Sequence, residues 1–277
     1  LVATLGTNLL QYRSAPRDAV LNRPVDSPQD FDWNSVYGLY LQGKQNIRQR
    51  YYLPAEEKLR SCLTKDPNYL PALGEMSMLM YRNMEYQKSL DYASHALRID
   101  TYDPAGNFYY GMANLKLGNL TDAKDGFDIA SLSLIYRGAA FTELSKIYFH
   151  EGDYAKAAHY AQKSLEVNTS NLDAYQLLAV IYRITQDKEK AQAILGKLNG
   201  LNPLDHFIRF EEYRWEPTEE NKSNFTSGIQ NELPHETYLH LADWYYSLGL
   251  VKESLEVLGF SSPHPEVYYW MAFLKSK

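Results

Sequence analysis

The sequence predicts an all-α protein, folded as an α-solenoid of antiparallel helix pairs. Small residues recur every 34 positions through the middle of the chain, as at Ala123 and Ala157. Within one such unit Phe141, Leu144 and Tyr148 follow helical spacing, and a second helical stretch comes after a glycine-containing break. One helix pair cannot bury its own apolar face, whereas stacked neighbours bury a continuous core. The period therefore indicates a stack of helix pairs.

Five units follow one another in this register without an insertion. They begin at Val36, Leu70, Pro104, Gly138 and Leu172. Two columns of the register hold only small residues. These are Ala55, Ser89, Ala123, Ala157 and Ala191 in one column, and Gly43, Ser77, Gly111, Ser145 and Ala179 in the other. Side chains of this size are needed where two helices cross closely, so the columns predict the contact between paired helices.

This pattern resembles the tetratricopeptide repeat (TPR), a unit of about 34 residues with Leu-Gly, Tyr, Ala, Phe and a late Pro at fixed offsets. Pro67 and Pro203 match the late proline. The sequence departs from the family at the large residue of the first helix, which is Leu39, Leu73, Asn107, Phe141 and Tyr175 in the five units. The resemblance implies a right-handed superhelix whose first helices line a concave, peptide-binding face.

Outside the five units the register changes. Residues 33–205 hold the five repeats, residues 206–234 predict an irregular short helical unit, and residues 235–277 predict a sixth repeat plus a terminal helix. Residues 1–32 contain several Pro and Asp and predict a linker or N-terminal extension, with one or two helical turns between Thr4 and Tyr12. The sequence has no initiator Met at its start, and we expect it to be a piece of a longer protein.

A second, narrower resemblance rests on three stretches, Gly111 to Leu201, Asn202 to His206 and Asn231 to Ala242. They are similar to the C-terminal repeat region of large bacterial proteins whose N-terminal part is an uncharacterised domain related to sugar-mutarotase-like β-sandwiches. That resemblance implies a carbohydrate-related context for the whole protein. It implies no catalytic residue in this segment.

Composition and charge exclude several classes of function. The chain has 28 Lys and Arg against 34 Asp and Glu, a net charge of −6, so we expect no nucleic-acid partner. No apolar run reaches the roughly 18 residues that a membrane-spanning helix needs. Cys62 is the only cysteine, which excludes an intrachain disulfide and a thiolate metal site. We expect a soluble protein of the cytoplasm or the periplasm, and the sequence does not decide between the two compartments.

No pattern of catalytic residues stands out, and we predict no catalytic residue, no cofactor and no metal ion. His235 and His240 are five residues apart, whereas a zinc-protease helix needs histidines four apart on one face. The sequence lacks a glycine-rich phosphate loop and a nucleophile elbow. We therefore expect that the protein is not an enzyme.

The remaining candidate site is a peptide-binding groove on the first helices. By the resemblance, its exposed positions are the second, fifth, ninth, twelfth and thirteenth of each unit. The residues predicted to line it are Tyr40, Lys44, Arg48, Met78, Tyr81, Arg82, Phe108, Met112, Lys116, Lys146, Phe149, His150 and Arg183. A cationic row beside aromatic and aliphatic side chains favours an acidic, partly apolar ligand segment. The alternative is that cations late in a helix only complement the helix dipole.

Two functions follow from these observations. The first is a non-enzymatic protein-interaction scaffold, which binds a polypeptide segment or a neighbouring domain of its own chain through the concave face. The second is an accessory or oligomerisation region of a larger bacterial carbohydrate-active or carbohydrate-binding protein. A long β-rich region upstream of this sequence would favour the second.

Overall fold

A computed structural model of the chain describes residues 2–5, 10–13 and 30–276. Near the start, two short strands, β1 (Val2–Leu5) and β2 (Leu10–Arg13), pair in antiparallel register. The helical turns expected between Thr4 and Tyr12 are therefore wrong at both ends of that range, and residues 6–9 lie outside the described residues. The β-branched residues Val2 and Thr4 favour an extended backbone over a helical one.

From residue 30 to residue 276 all regular structure is helical, which confirms the predicted all-α class. The first helices of the five units are α1 (Val36–Arg48), α3 (Leu70–Arg82), α5 (Pro104–Leu117), α7 (Arg137–His150) and α9 (Leu172–Ile184). The second helices are α2 (Tyr52–Lys65), α4 (Tyr86–Ile99), α6 (Leu120–Ala130), α8 (Tyr154–Val167) and α10 (Lys188–Leu201). The later helices are α11 (His206–Trp215), α12 (Glu219–Ser227), α13 (Pro234–Ser247), α14 (Val251–Gly259) and α15 (Pro265–Lys275).

In each of the five units, the loop between the two helices contains a residue at the same position of the 34-residue register. The residue at that position has a left-handed backbone, with φ between 61° and 85°. These residues are Arg50, Met84, Gly118, Gly152 and Gln186. Glycine adopts this conformation without steric cost, whereas the other three residues hold it against strain of about 1–3 kcal/mol each. Tertiary packing of the helix pair therefore fixes the turn even where the sequence does not favour it.

The small-residue columns lie between the two helices of a unit and are fully buried. Ser77 and Ser89 each donate a hydroxyl proton to the other's carbonyl oxygen, at 2.8 and 2.9 Å. Ser145 does the same toward Ala157, at 2.7 Å. Serine in these columns thus adds a hydrogen bond across the helix crossing while remaining small enough for close contact.

Among the described residues, buried apolar side chains form three clusters along the array, and the largest runs from Phe149 to Leu274. This cluster joins α9 to α11 and α13, so the C-terminal helices pack directly against the fifth unit. In the described part of the chain, every helix is too short or too polar to span a membrane.

Candidate functional site

The first helices lie side by side in units one to three and again in units four and five, because α1 contacts α3, α3 contacts α5 and α7 contacts α9. Between units three and four, Tyr136 just before α7 packs on Phe108 of α5. On a helix of 3.6 residues per turn, the second, sixth, ninth and thirteenth positions fall within a stripe about 60° wide. The fifth and twelfth positions lie about 80° from its centre, toward the neighbouring helices. We call the side chains at the second, sixth, ninth and thirteenth positions of units one to four the groove stripe.

The predicted groove residues at the fifth and twelfth positions are more buried than those on the groove stripe. At the fifth and twelfth positions, Tyr40 is 9% exposed, Phe149 is 4% exposed and Arg183 is 8% exposed. These three residues are too buried to meet a ligand, so the prediction that they are exposed is wrong. The remaining members at these positions, Tyr81 and Phe108, are half-buried.

At the ninth position, both predicted cations are paired with a carboxylate of the next first helix, and Lys146 is also paired with one of its own helix. Lys44 donates to the hydroxyl of Tyr40 at 3.0 Å and lies 3.8 Å from Glu75. Lys146 lies 3.0 Å from Glu143 and 2.6 Å from Asp173. Although burial alone would lower the pKa of Lys146, the two carboxylates raise it above its ordinary value. The free positive charge that we expected at these two positions is therefore neutralised within the protein.

At the thirteenth position, the predicted cations lie in the last helical turn of each first helix. This is the edge of the array where the loops join the first helices to the second helices. Arg48, Arg82 and Lys116 are exposed, and the guanidinium of Arg82 stacks 4.0 Å from the ring centre of Tyr52. The imidazole Nε2 of His150 lies 2.9 Å from the carbonyl oxygen of Ser247 in α13. A carbonyl oxygen only accepts, so His150 carries its proton on Nε2. Three cations thus form an exposed basic rim, and His150 contacts the C-terminal helices instead.

The middle of the stripe carries groups that our sequence analysis missed. Glu75, Tyr109 and Glu143 occupy the sixth position of units two, three and four. The half-buried thioethers of Met78 and Met112, at the ninth position, lie on the same stripe. The signal was present in the sequence, because spacings of four, three and four residues define a narrower helical face than the one we chose.

A group of aromatic rings extends from the stripe toward the next unit. The rings of Tyr81 and Tyr109 are 6.4 Å apart, and Tyr136, just before α7, stacks on Phe108 at 4.9 Å. Burial, with a smaller effect of Glu143, raises the pKa of Tyr81 to about 12, and burial with Glu75 raises the pKa of Tyr136 to about 12. Burial raises the pKa of Glu75 as well, against the opposing effect of Lys44. These hydroxyls stay neutral at physiological pH and can both donate and accept hydrogen bonds.

Tyr81→Phe is expected to reduce the loss of stability at alkaline pH. The pKa of a tyrosine is about 10 in an unfolded chain and about 12 at Tyr81 in the fold. The folded state thus holds its proton more tightly, and the free energy of unfolding falls as pH rises from about 10 to about 12. Urea denaturation across this range measures the fall. Tyr268→Phe, at an exposed tyrosine, is the control; equal slopes for wild type and Tyr81→Phe would contradict the prediction.

In the fifth unit the same stripe is covered by the chain itself. Leu177 and Val180, at the sixth and ninth positions, are fully buried in the cluster that includes α11 and α13. From α13, the indole Nε1 of Trp244 donates to Asp173 at 3.0 Å. Helices α11 and α13 thus occupy the face in unit five, whereas the groove stripe of units one to three stays half-buried or exposed.

Residues 148–206 match the family model for the tetratricopeptide repeat. The fold is similar to that of a tetratricopeptide repeat protein from Parabacteroides merdae, at 13% identity over 87% of this chain and 98% of that one, with a TM-score of 0.58. It is also similar to PilW, a type IV pilus biogenesis factor, at 16% identity over 72% and 94%, with a TM-score of 0.64. A third similar structure is YrrB, described as a TPR protein with an unusual peptide-binding site, at 18% identity over 64% and 91%, with a TM-score of 0.50. No curated protein matches the chain in sequence. At these identities the likeness shows the fold alone.

Proposed function

We propose that this chain, a tetratricopeptide repeat protein, is a non-enzymatic scaffold that binds a polypeptide segment through the groove stripe of units one to four. The observation that carries the proposal is the covered face of the fifth unit. There the chain packs its own helices on the stripe, with Leu177 and Val180 buried and Trp244 bound to Asp173. The equivalent face of units one to three is open to a segment of similar chemistry.

The side chains of the stripe suit an amphipathic ligand with an aromatic or aliphatic centre. Met78, Met112 and Tyr109 supply the apolar surface, and methionine adapts to side chains of different shape. Glu75 and Glu143 can accept a hydrogen bond from the ligand, as Asp173 accepts one from Trp244. The ligand segment therefore brings a donor group, such as an indole N–H, beside an apolar residue.

The basic rim favours acidic residues at one end of the same ligand. Arg48, Arg82 and Lys116 are exposed at the thirteenth positions, which form the C-terminal end of the stripe on each first helix. Exposed charges of one sign steer a partner of the opposite sign and add more to orientation than to affinity. We therefore propose acidic residues on the rim side of the ligand and apolar residues at its centre.

YrrB is described as having an unusual peptide-binding site, and a peptide ligand here is the corresponding proposal. The descriptions of the family model and of these three similar structures name no sugar-mutarotase-like domain. The alternative role, as an accessory region of a larger bacterial carbohydrate-active protein, stays a prediction for that reason.

Met112→Glu is expected to weaken peptide binding at least about 10-fold, because it places an unpaired charge where the apolar centre of the ligand packs. The ligand probe is a peptide selected from a displayed random library on the purified wild-type chain, with its Kd measured by fluorescence anisotropy. Gln87→Glu, on the exposed side of second helix α4, adds the same charge away from the groove and is expected to bind as wild type does.

Arg82→Glu is expected to weaken the same peptide mainly at low salt, because the rim acts through exposed charge. Circular dichroism checks that each variant is folded. A peptide that binds equally to wild type and to folded Met112→Glu, or a folded wild-type chain that selects no peptide above background, would overturn the proposal.

A further inference from the structure

Two histidines and a glutamate meet at the C-terminal end of the array, where the first turns of α13 and α15 lie side by side. His235, His264 and Glu266 each place one possible ligand atom within 4.8 Å of those of the other two. The two imidazole rings are stacked, with centres 3.7 Å apart and planes inclined by 22°. This trio is distant in sequence and comes from two helices, so a search for histidines spaced along one helix does not find it.

The backbone fixes the position of each member. His235 follows Pro234 in the first turn of α13, and Glu266 follows Pro265 in the first turn of α15. His264 is the residue before Pro265 and has an extended backbone, with φ −147° and ψ 140°. A residue before proline is held in this region by the proline ring, so His264 has little backbone freedom.

One of the imidazole nitrogens lacks a partner. Nδ1 of His264 is buried and accepts or donates no hydrogen bond within the described residues. A buried polar atom without a partner costs about 1–3 kcal/mol, so such an atom calls for an explanation. Stacking on His235 leaves the nitrogen unsatisfied, since ring stacking supplies no hydrogen bond.

Two imidazole nitrogens and one carboxylate are a ligand set that Zn²⁺ takes in proteins, with a fourth position left open. Tetrahedral zinc with ligand distances of about 2.0–2.1 Å needs neighbouring ligand atoms about 3.4 Å apart. The three atoms are within 4.8 Å, and Glu266 is exposed and able to move toward the pair. The in-plane lone pairs of two stacked rings run nearly parallel, so the His235 and His264 rings must tilt out of their stack before both nitrogens face one ion.

We propose that His235, His264 and Glu266 bind one Zn²⁺ ion, which fastens the terminal helix α15 to α13. Nδ1 of His264, which has no other partner, coordinates the ion. The ion also holds together two helices that otherwise contact each other through few residues. The site lies at the end of the array, away from the groove stripe, and is independent of peptide binding.

Isothermal titration of the metal-free chain with zinc chloride tests the proposal. We expect saturable binding of one ion per chain, and a rise in the melting temperature as zinc is added. His264→Gln is expected to abolish this binding. Glu266→Gln is expected to weaken it at least about 10-fold, the lower end of the effect that loss of even an outer-shell partner has. His240→Gln, at an exposed histidine of the same helix α13, is the control and is expected to bind as wild type does.

Co²⁺ in place of Zn²⁺ provides a measurement on the unmutated chain. Four-coordinate cobalt with nitrogen and oxygen ligands gives strong visible absorption, whereas hydrated octahedral cobalt gives weak absorption. A strong band that zinc displaces supports the site. Absence of saturable zinc binding in the wild type, a weak octahedral cobalt spectrum, or unchanged binding in folded His264→Gln would each overturn it.

Discussion

Arg183→Met is expected to lower the free energy of unfolding by about 3–5 kcal/mol, the cost of leaving a buried carboxylate without its partner. Arg183 Nε lies 2.7 Å from Oε2 of Glu211, whose side chain has no exposed surface, and Nη1 lies 3.4 Å from Glu253. Burial alone would lower the pKa of Arg183, but the Glu211 carboxylate raises it. The guanidinium therefore stays charged and neutralises Glu211 at the junction of α9, α11 and α14. It shares Glu253 with Arg214, whose Nη2 lies 3.3 Å from the same carboxylate oxygen.

The double variant Arg183→Met with Glu211→Gln separates the buried charge from the loss of packing. Tyr245 donates its hydroxyl proton to Oε1 of Glu211 at 2.6 Å, and a glutamine keeps that acceptor. The double variant is therefore expected to recover most of the stability that the single variant loses, because no uncompensated carboxylate remains. Urea denaturation of the wild type, both single variants and the double variant completes the cycle.

Lys190→Met, which removes an exposed ion pair with Asp187, is the control and is expected to leave the urea midpoint almost unchanged. The prediction fails if Arg183→Met behaves in the same way. Such a result would mean that water reaches Glu211 and that the junction is looser than the packing implies.

Arg183 also marks the limit of what the sequence could predict. The period of 34 and the small-residue columns at Ala123 and Ala157 are local properties of each unit. The helix pairs and their order could therefore be predicted from the sequence. The exposed stripe of the first helices could be predicted to within about 80° of rotation, because helical spacing alone defines a stripe. A residue's position in its unit does not reveal which distant helix covers it.

The same limit explains the paired lysines. Lys146 was expected to be a free cation, but its partner Asp173 comes from the next unit and Asp173 itself bonds to Trp244, 71 residues further along the chain. The short helices α11 and α12 bring α13 back toward the fifth unit, and that closure depends on the geometry of packing. Sequence periodicity fails after Pro203, where this closure begins, so it carries no information on which residues meet there.

Gly126→Ala is expected to lower the free energy of unfolding by about 1–3 kcal/mol, through overpacking between α5 and α6. A Cβ atom at Gly126 would lie 2.8 Å from the carbonyl oxygen of Asn107 and 2.9 Å from the backbone nitrogen of Gly111. Backbone atoms in the middle of a helix cannot move aside as the end of a flexible side chain can. The two helices must therefore separate, and Phe127, fully buried beside Gly111, loses contacts as they do.

The repeat register alone would lead to the opposite expectation. The residues equivalent to Gly126 in units two and four are Tyr92 and Tyr160, so a tyrosine would seem acceptable in this column. In the third unit the helices approach too closely even for a methyl group, and Gly126→Tyr should destabilise the protein more than Gly126→Ala does.

Gly196→Ala, in α10 with open space around its Cβ, is the matched control. It is expected to stabilise by about 0.5–1 kcal/mol, since alanine favours the helix over glycine. Thermal and urea unfolding of the three variants decide the matter: if Gly126→Ala is as stable as Gly196→Ala, the close approach of α5 and α6 is not rigid, and the third unit can widen without cost.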